Sequence, residues 1–177
     1  MSPILGIVAS QNYPRSTNSY KSIASANGTG SSATISFTSI PSTFQHLQIR
    51  FSAYTSAAAN INVRFNSDTG TNYAYHQLVG DGSSASAAGV STSSVMYGGY
   101  ITASQYGVGV IDLLDYANTN KYKTMRSLHG SDANGSGLVL LRSGLWQNTN
   151  AISTIELIST SGNFTTASSF ALYGIEG

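Results

Sequence analysis

The sequence predicts an all-β protein, an antiparallel β-sandwich of the jelly-roll kind with an extended N-terminal arm, and three observations lead there. Short segments alternate apolar and polar residues at period two. Turn dipeptides such as Asn27-Gly28, Asp81-Gly82 and Asn134-Gly135 separate them at fairly even spacing. No segment carries a helical apolar stripe over three turns.

Residues 20–26 open the series, followed by residues 33–38, where Ile35 and Phe37 share a face. Leu47, Ile49 and Phe51 alternate with Gln48, Arg50 and Ser52, and Ile61, Val63 and Phe65 with Asn62, Arg64 and Asn66. Each of these strands has one apolar face and one polar face, the latter carrying Arg50 or Arg64. Between them, residues 53–60 could form one helical turn, supported only by Ala57-Ala58-Ala59. Residues 73–79 come next, then residues 95–101, where Gly98-Gly99 predicts a bend or bulge. Residues 108–114 alternate and then turn continuously apolar; residues 121–128, 138–146, 152–158 and 170–175 complete ten or eleven strands. Pro3, Pro14 and Pro41 all precede or separate strands, where a missing N–H costs nothing. Residues 80–94 (GDGSSASAAGVSTSS) read as a low-complexity loop, and residues 10–19 have the same character. The organisation is thus an arm, residues 1–19, and one sandwich domain, residues 20–177.

Composition narrows the function. The 177-residue chain is 8% charged, against roughly 25% in an ordinary soluble protein. Ser and Thr, 47 residues together, keep a pleated surface wet without charge. Such a shell suits structure better than catalysis. A net charge of +1 gives no electrostatic case for nucleic acid or an anionic membrane. With no cysteine there is no disulfide, thiol chemistry or thiolate metal site. A domain of this size buries about 70% of its unfolded surface without such staples. The opening MSPILGIVAS lacks a basic leader and its apolar run is broken by Gly6, so it reads as part of the mature chain. An apolar tip of this kind calls for a neighbour, which makes Ile4, Leu5, Ile7, Val8 and Tyr13 the partner-binding candidates.

No catalytic or metal constellation is predicted, and no cofactor. Asp112 and Asp115 flank Leu113-Leu114 at an odd offset that aims them at opposite faces of a strand. One of them is expected to pair with Lys121 or Lys123 and the other to bond turn amides. His46, His76 and His129 stand alone without metal-ligand spacing, and no Gly-x-Ser-x-Gly elbow occurs. Residues 132–137 (DANGSG) copy half of a calcium loop, but position twelve is Ser143 rather than a bidentate Glu, so a plain turn is expected. Tyr97, Tyr100, Tyr106, Tyr116, Tyr122 and Trp146 could stack on sugar rings, although packing in core or interface is the expectation.

Six stretches carry a resemblance: residues 4–10 (ILGIVAS), 20–24 (YKSIA), 37–50 (FTSIPSTFQHLQIR), 63–66 (VRFN), 115–124 (DYANTNKYKT) and 168–175 (SSFALYGI). In these the chain resembles a family of virion structural proteins of tailed bacteriophages, akin to capsid decoration or cement proteins, head fibres and tail-fibre modules. The resemblance implies a place on the outer surface of the phage particle. It implies the major capsid protein or other virion proteins as partners, and a homotrimer at local three-fold positions. It brings no catalytic motif. The alternative it implies is a fibre module that recognises a host-surface glycan.

Overall fold

The computed structural model describes residues 19–176, which form twelve strands and, among them, no helix. The strands are β1 (Tyr20–Asn27), β2 (Thr34–Phe37), β3 (His46–Tyr54), β4 (Ala59–Phe65), β5 (Tyr73–Gly80), β6 (Ala85–Ser93), β7 (Met96–Ile101), β8 (Tyr106–Leu114), β9 (Lys123–Asp132), β10 (Gly137–Trp146), β11 (Ile155–Ser159) and β12 (Ser169–Ile175). They pair antiparallel in two sheets packed face to face, an eight-stranded sheet ordered β1-β12-β3-β8-β9-β10-β5-β6 and a four-stranded sheet ordered β2-β11-β4-β7. The fold is a β-sandwich.

Two departures from the sequence reading concern elements. Residues 80–94, expected as a loop, contain β6, which pairs with β5 along its length from Ala85↔Gly80 to Ser93↔Tyr73. Its Ala, Ser and Gly side chains are too small to produce an apolar alternation. The backbone ladder and the preceding turn fix the strand instead: Asp81 accepts the N–H groups of Ser83 (2.9 Å) and Ser84 (2.7 Å) through Oδ1. Residues 53–60 make no helical turn; they end β3, bend at Ser56 and Ala57, and begin β4. The bulge expected in the glycine pair is present. Gly99 pairs with Ile61 and Tyr97 with Asn62, leaving Gly98 as the extra residue. DANGSG closes the β9–β10 hairpin as a turn, with Asn134 at φ 53° and Gly135 at φ 103°. The primed hairpin turns demand positive φ of this kind.

The core lies between the sheets and gathers the inward residues of both, including Leu47, Ile49, Ile61, Val63, Phe65, Met96, Ile111, Leu113, Ile155, Leu157 and Leu172. Each large apolar side chain buried there contributes about 1.5–3 kcal/mol. Aromatic rings fix the two ends. Trp146 stacks on Tyr73 (centroids 6.3 Å apart) and meets Phe65 at 5.6 Å, and its Nε1 donates to Asp68 Oδ2 at 2.8 Å. At the other end Phe170 packs between Phe51 and Phe164.

The pairings also nest. β1 pairs with β12, β2 with β11, β3 with β8 and β4 with β7, alternating between the sheets. The remaining strands are two hairpins, β5–β6 and β9–β10, joined edge to edge through β5 and β10. They extend the large sheet beyond β8 as a four-stranded wing.

Candidate functional site

Ile4, Leu5, Ile7, Val8 and Tyr13 lie outside the described residues; the candidate surface among the described residues belongs to the sandwich. The informative surface is the outer face of the wing and of β8. Along β9 the usual polarity of a strand is reversed. Lys123, Met125, Ser127, His129 and Ser131 point inward and are buried, while Thr124, Arg126, Leu128 and Asp132 point to solvent. The neighbours repeat the pattern: β8 exposes Tyr106, Val108 and Leu114, β10 exposes Val139 and Leu141, and β5 exposes Leu78.

Strand register lines these residues up. Leu78 lies beside Leu141, Leu141 beside Leu128, and Leu128 beside Val110, a row of four aliphatic side chains across four strands. The next row runs Gly80, Val139, Gly130, Val108. Its glycines have no side chain, so a trough opens between the valines. That trough is part of a groove of about 640 Å³, closed at one end by the Asp81-Gly82 and Gly135-Ser136 turns and flanked by Tyr106. On the opposite side of the leucine row stand His76, Ser143, Arg126 and Asp112. Leu128 is 56% and Val139 61% exposed. A contiguous apolar surface of this extent on a folded protein marks a contact site.

Beneath this surface lies a buried polar layer. The Arg142 guanidinium donates to Gln77 Oε1 (3.0 Å) and to the Gly99 carbonyl (3.1 Å), and sits 5.1 Å from the centre of the Tyr97 ring. Burial pulls its pKa down to about 10. Tyr75 packs on Tyr97, and burial followed by the Tyr97 hydrogen bond raises its pKa to about 12. His129 is buried with neither ring nitrogen bonded, and burial, with Arg142 nearby, lowers its pKa to about 3. Lys123 donates through Nζ to the carbonyls of Lys121 and Thr149, both at 2.9 Å, and to that of Asn118. Arg142 and Lys123 thus find polar partners inside, His129 does not, and the apolar side chains of these strands are left outside.

The residues weighed as catalysts or ligands are dispersed. Asp115 pairs with Lys121, as expected for one of the two aspartates, and its backbone N–H donates to His46 Nδ1 at 2.9 Å. Asp112, expected to bond turn amides, instead takes Arg126 Nη2 at 2.9 Å and Gln48 Nε2 at 2.8 Å. It sits mid-strand on β8, where the cross-strand side chains of β9 and β3 are nearer than any turn. Trp146, considered as a sugar platform, is 1% exposed and belongs to the core. Tyr116 is also buried, its hydroxyl donating to the Pro41 carbonyl. Tyr106 and Tyr122 are the exposed aromatics of that group, and Tyr106 stands edge-on to Tyr54 at 5.2 Å. Among the described residues no three His, Asp or Glu side chains gather into a metal cluster.

Sequence reasoning missed the leucine row because period two assigns alternate apolar residues to the core. The available signal was the run Leu138-Val139-Leu140-Leu141, apolar on both faces of one strand. Comparison of the chain with protein-family models, curated proteins and solved structures finds no match in any of the three.

Proposed function

We propose that this protein is a structural component of a tailed-bacteriophage particle, a capsid decoration or cement protein. Residues 1–19 anchor it to the major capsid protein or a neighbouring virion protein, and the sandwich lies on the outer surface. The nested strand pairs read as a jelly roll to which the β5–β6 and β9–β10 hairpins have been added. The observation that carries this reading is the wing: it widens one sheet and presents an aliphatic face with its charges at the two ends. A surface of that kind suits assembly rather than turnover, and the virion assignment itself draws on the resemblance of residues 20–24, 37–50, 115–124 and 168–175. Many copies on one shell multiply a weak individual contact. In this role the protein catalyses nothing and holds no cofactor. The test is to delete residues 1–19 and add the product to particles lacking the protein. Loss of binding is expected; undiminished binding retires the anchor.

One observation favours a second reading, a fibre module that recognises glycan. Tyr106 is 51% exposed and flanks the groove at the hairpin tips, together with Asp81 and Asp132. An aromatic face beside carboxylates is a common way to hold a sugar ring. Hits on a glycan array that vanish in Tyr106→Ala would favour this reading over attachment to the shell.

A further inference from the structure

We propose that the outer face of the wing binds a second copy of this chain, wing to wing, about a two-fold axis lying in the interface at right angles to the strands. The pairing does not depend on the virion role, and its warrant is the outward sequence of β9. At alternate positions that strand presents Arg126, Leu128, Gly130 and Asp132. In chemical terms this is positive, large, absent, negative.

Such an axis reverses strand direction and lays β9 on β9 of the partner. With the axis between positions 128 and 130, Leu128 faces the partner's Gly130 and Arg126 faces the partner's Asp132, each twice by symmetry. A two-fold contact must be self-complementary in this way. The neighbouring strands obey the same operation. On β5, Leu78 meets the partner's Gly80; on β8, Val110 meets the partner's Val108; on β10, Leu141 meets the partner's Val139. Leu128 and Leu78 of each copy therefore enter the glycine gaps of the other, while Leu141 and Val110 pack on its valines. Sheets that pack face to face lie about 10 Å apart, the spacing such side-chain contacts fill.

Area agrees as well. Five strands, β8, β9, β10, β5 and β6, are eight to ten residues long. The axis superposes seven positions of each strand, 126–132 on β9, and at about 4.8 Å between strands and about 3.4 Å per residue these cover roughly 570 Å² per copy. The total of about 1,100 Å² clears the roughly 1,000 Å² that a specific interface needs. The charged groups of the face stand at its two ends, Arg126 and Asp112 at one, Asp81 and Asp132 at the other. The rotation brings opposite ends together, so Arg126, which is paired with Asp112 in its own chain, meets the partner's Asp132, and Asp112 itself faces the partner's Tyr106.

Sedimentation equilibrium of the full chain tests the pairing. Wild type is expected at twice the 18.5 kDa chain mass. Leu128→Glu, at an exposed position, is expected at the single mass with its β-sheet circular dichroism intact. Arg126→Asp and Asp132→Arg are each expected to weaken pairing by at least about tenfold, since like charges then face each other. The double variant R126D/D132R is expected to recover most of that loss, because the pairs re-form with reversed sign. Asp112 lies beside position 126 in the same chain, so each variant's melting temperature is read alongside. If Leu128→Glu were to unfold, the charge exchange still decides. A wild-type monomer at ~100 μM, a mass of three chains, or a double variant no tighter than either single one overturns the proposal.

Discussion

His129 illustrates how one residue can set the acid limit of the whole protein. Its ring sits beneath the wing, opposite Gly109 on the neighbouring strand, and neither nitrogen has a partner. Burial, followed by the Arg142 charge, brings its pKa from 6.5 down to about 3. The folded value lies below the unfolded one, so the unfolded chain binds the proton first and acid removes stability. Between about pH 6.5 and pH 3 this group alone should cost about 1.4 kcal/mol per pH unit. Above pH 6.5 its contribution no longer changes with pH. His129→Leu, similar in volume and free of the unpaired nitrogens, should flatten that part of the profile. Urea unfolding of both proteins at pH 7 and pH 5 checks it; an unchanged difference between the two pH values would show that His129 does not titrate on unfolding. Nothing in the sequence marks this histidine as buried. Its polar neighbours Ser127 and Ser131 at the same period suggest a solvated face, and the register of β9 puts that face inside.

At the scale of the element, alternation located eleven of the twelve strands, because in β3, β4, β11 and β12 one side of the strand meets the core and the pattern records it. It failed where the side chains carry no contrast. In β6 nearly every residue is Ala, Ser or Gly and almost all are exposed, so the strand depends on its ladder with β5. In β9 the contrast is present but inverted, and identifying the strand did not reveal which side was buried. Glycine tells the packing side of the story. At Gly109 in β8 an added Cβ would lie 2.5 Å from the Phe51 ring and 2.7 Å from His129 Cβ. Phe51 and His129 close over the bare backbone there. Gly109→Val should therefore cost about 3 kcal/mol through overpacking. Gly80→Ala, where no atom lies within 4 Å of the new methyl, should stay within about 0.5 kcal/mol when made in the unpaired Leu128→Glu background. Chemical denaturation of the two variants decides between this steric account and a general loss of backbone freedom, which would shift both alike.

For the whole molecule, the sandwich and its added wing set different constraints on stability. The nested pairs bury a continuous apolar core and would hold as a unit, whereas the wing buries a polar layer of Arg142, Gln77 and His129 and turns its aliphatic residues outward. A lone chain with that distribution leaves Leu78, Leu128, Val139 and Leu141 in water. Two chains joined wing to wing cover them, and their folding then includes association. Melting should accordingly depend on concentration, because mass action stabilises the associated form. A hundredfold increase adds about 2.7 kcal/mol per pair, or about 1.4 kcal/mol per chain. For a chain of this size that raises the melting temperature by about 3 to 5 °C. Leu128→Glu should melt at one temperature across the same range, and below wild type at every concentration where wild type is paired. The comparison separates association from intrinsic stability: a wild-type melting point indifferent to dilution would mean that the leucine row stays wet in solution. In that case the surface is left free for the particle or glycan contact proposed above, and the reversed polarity of β9 does not serve self-pairing.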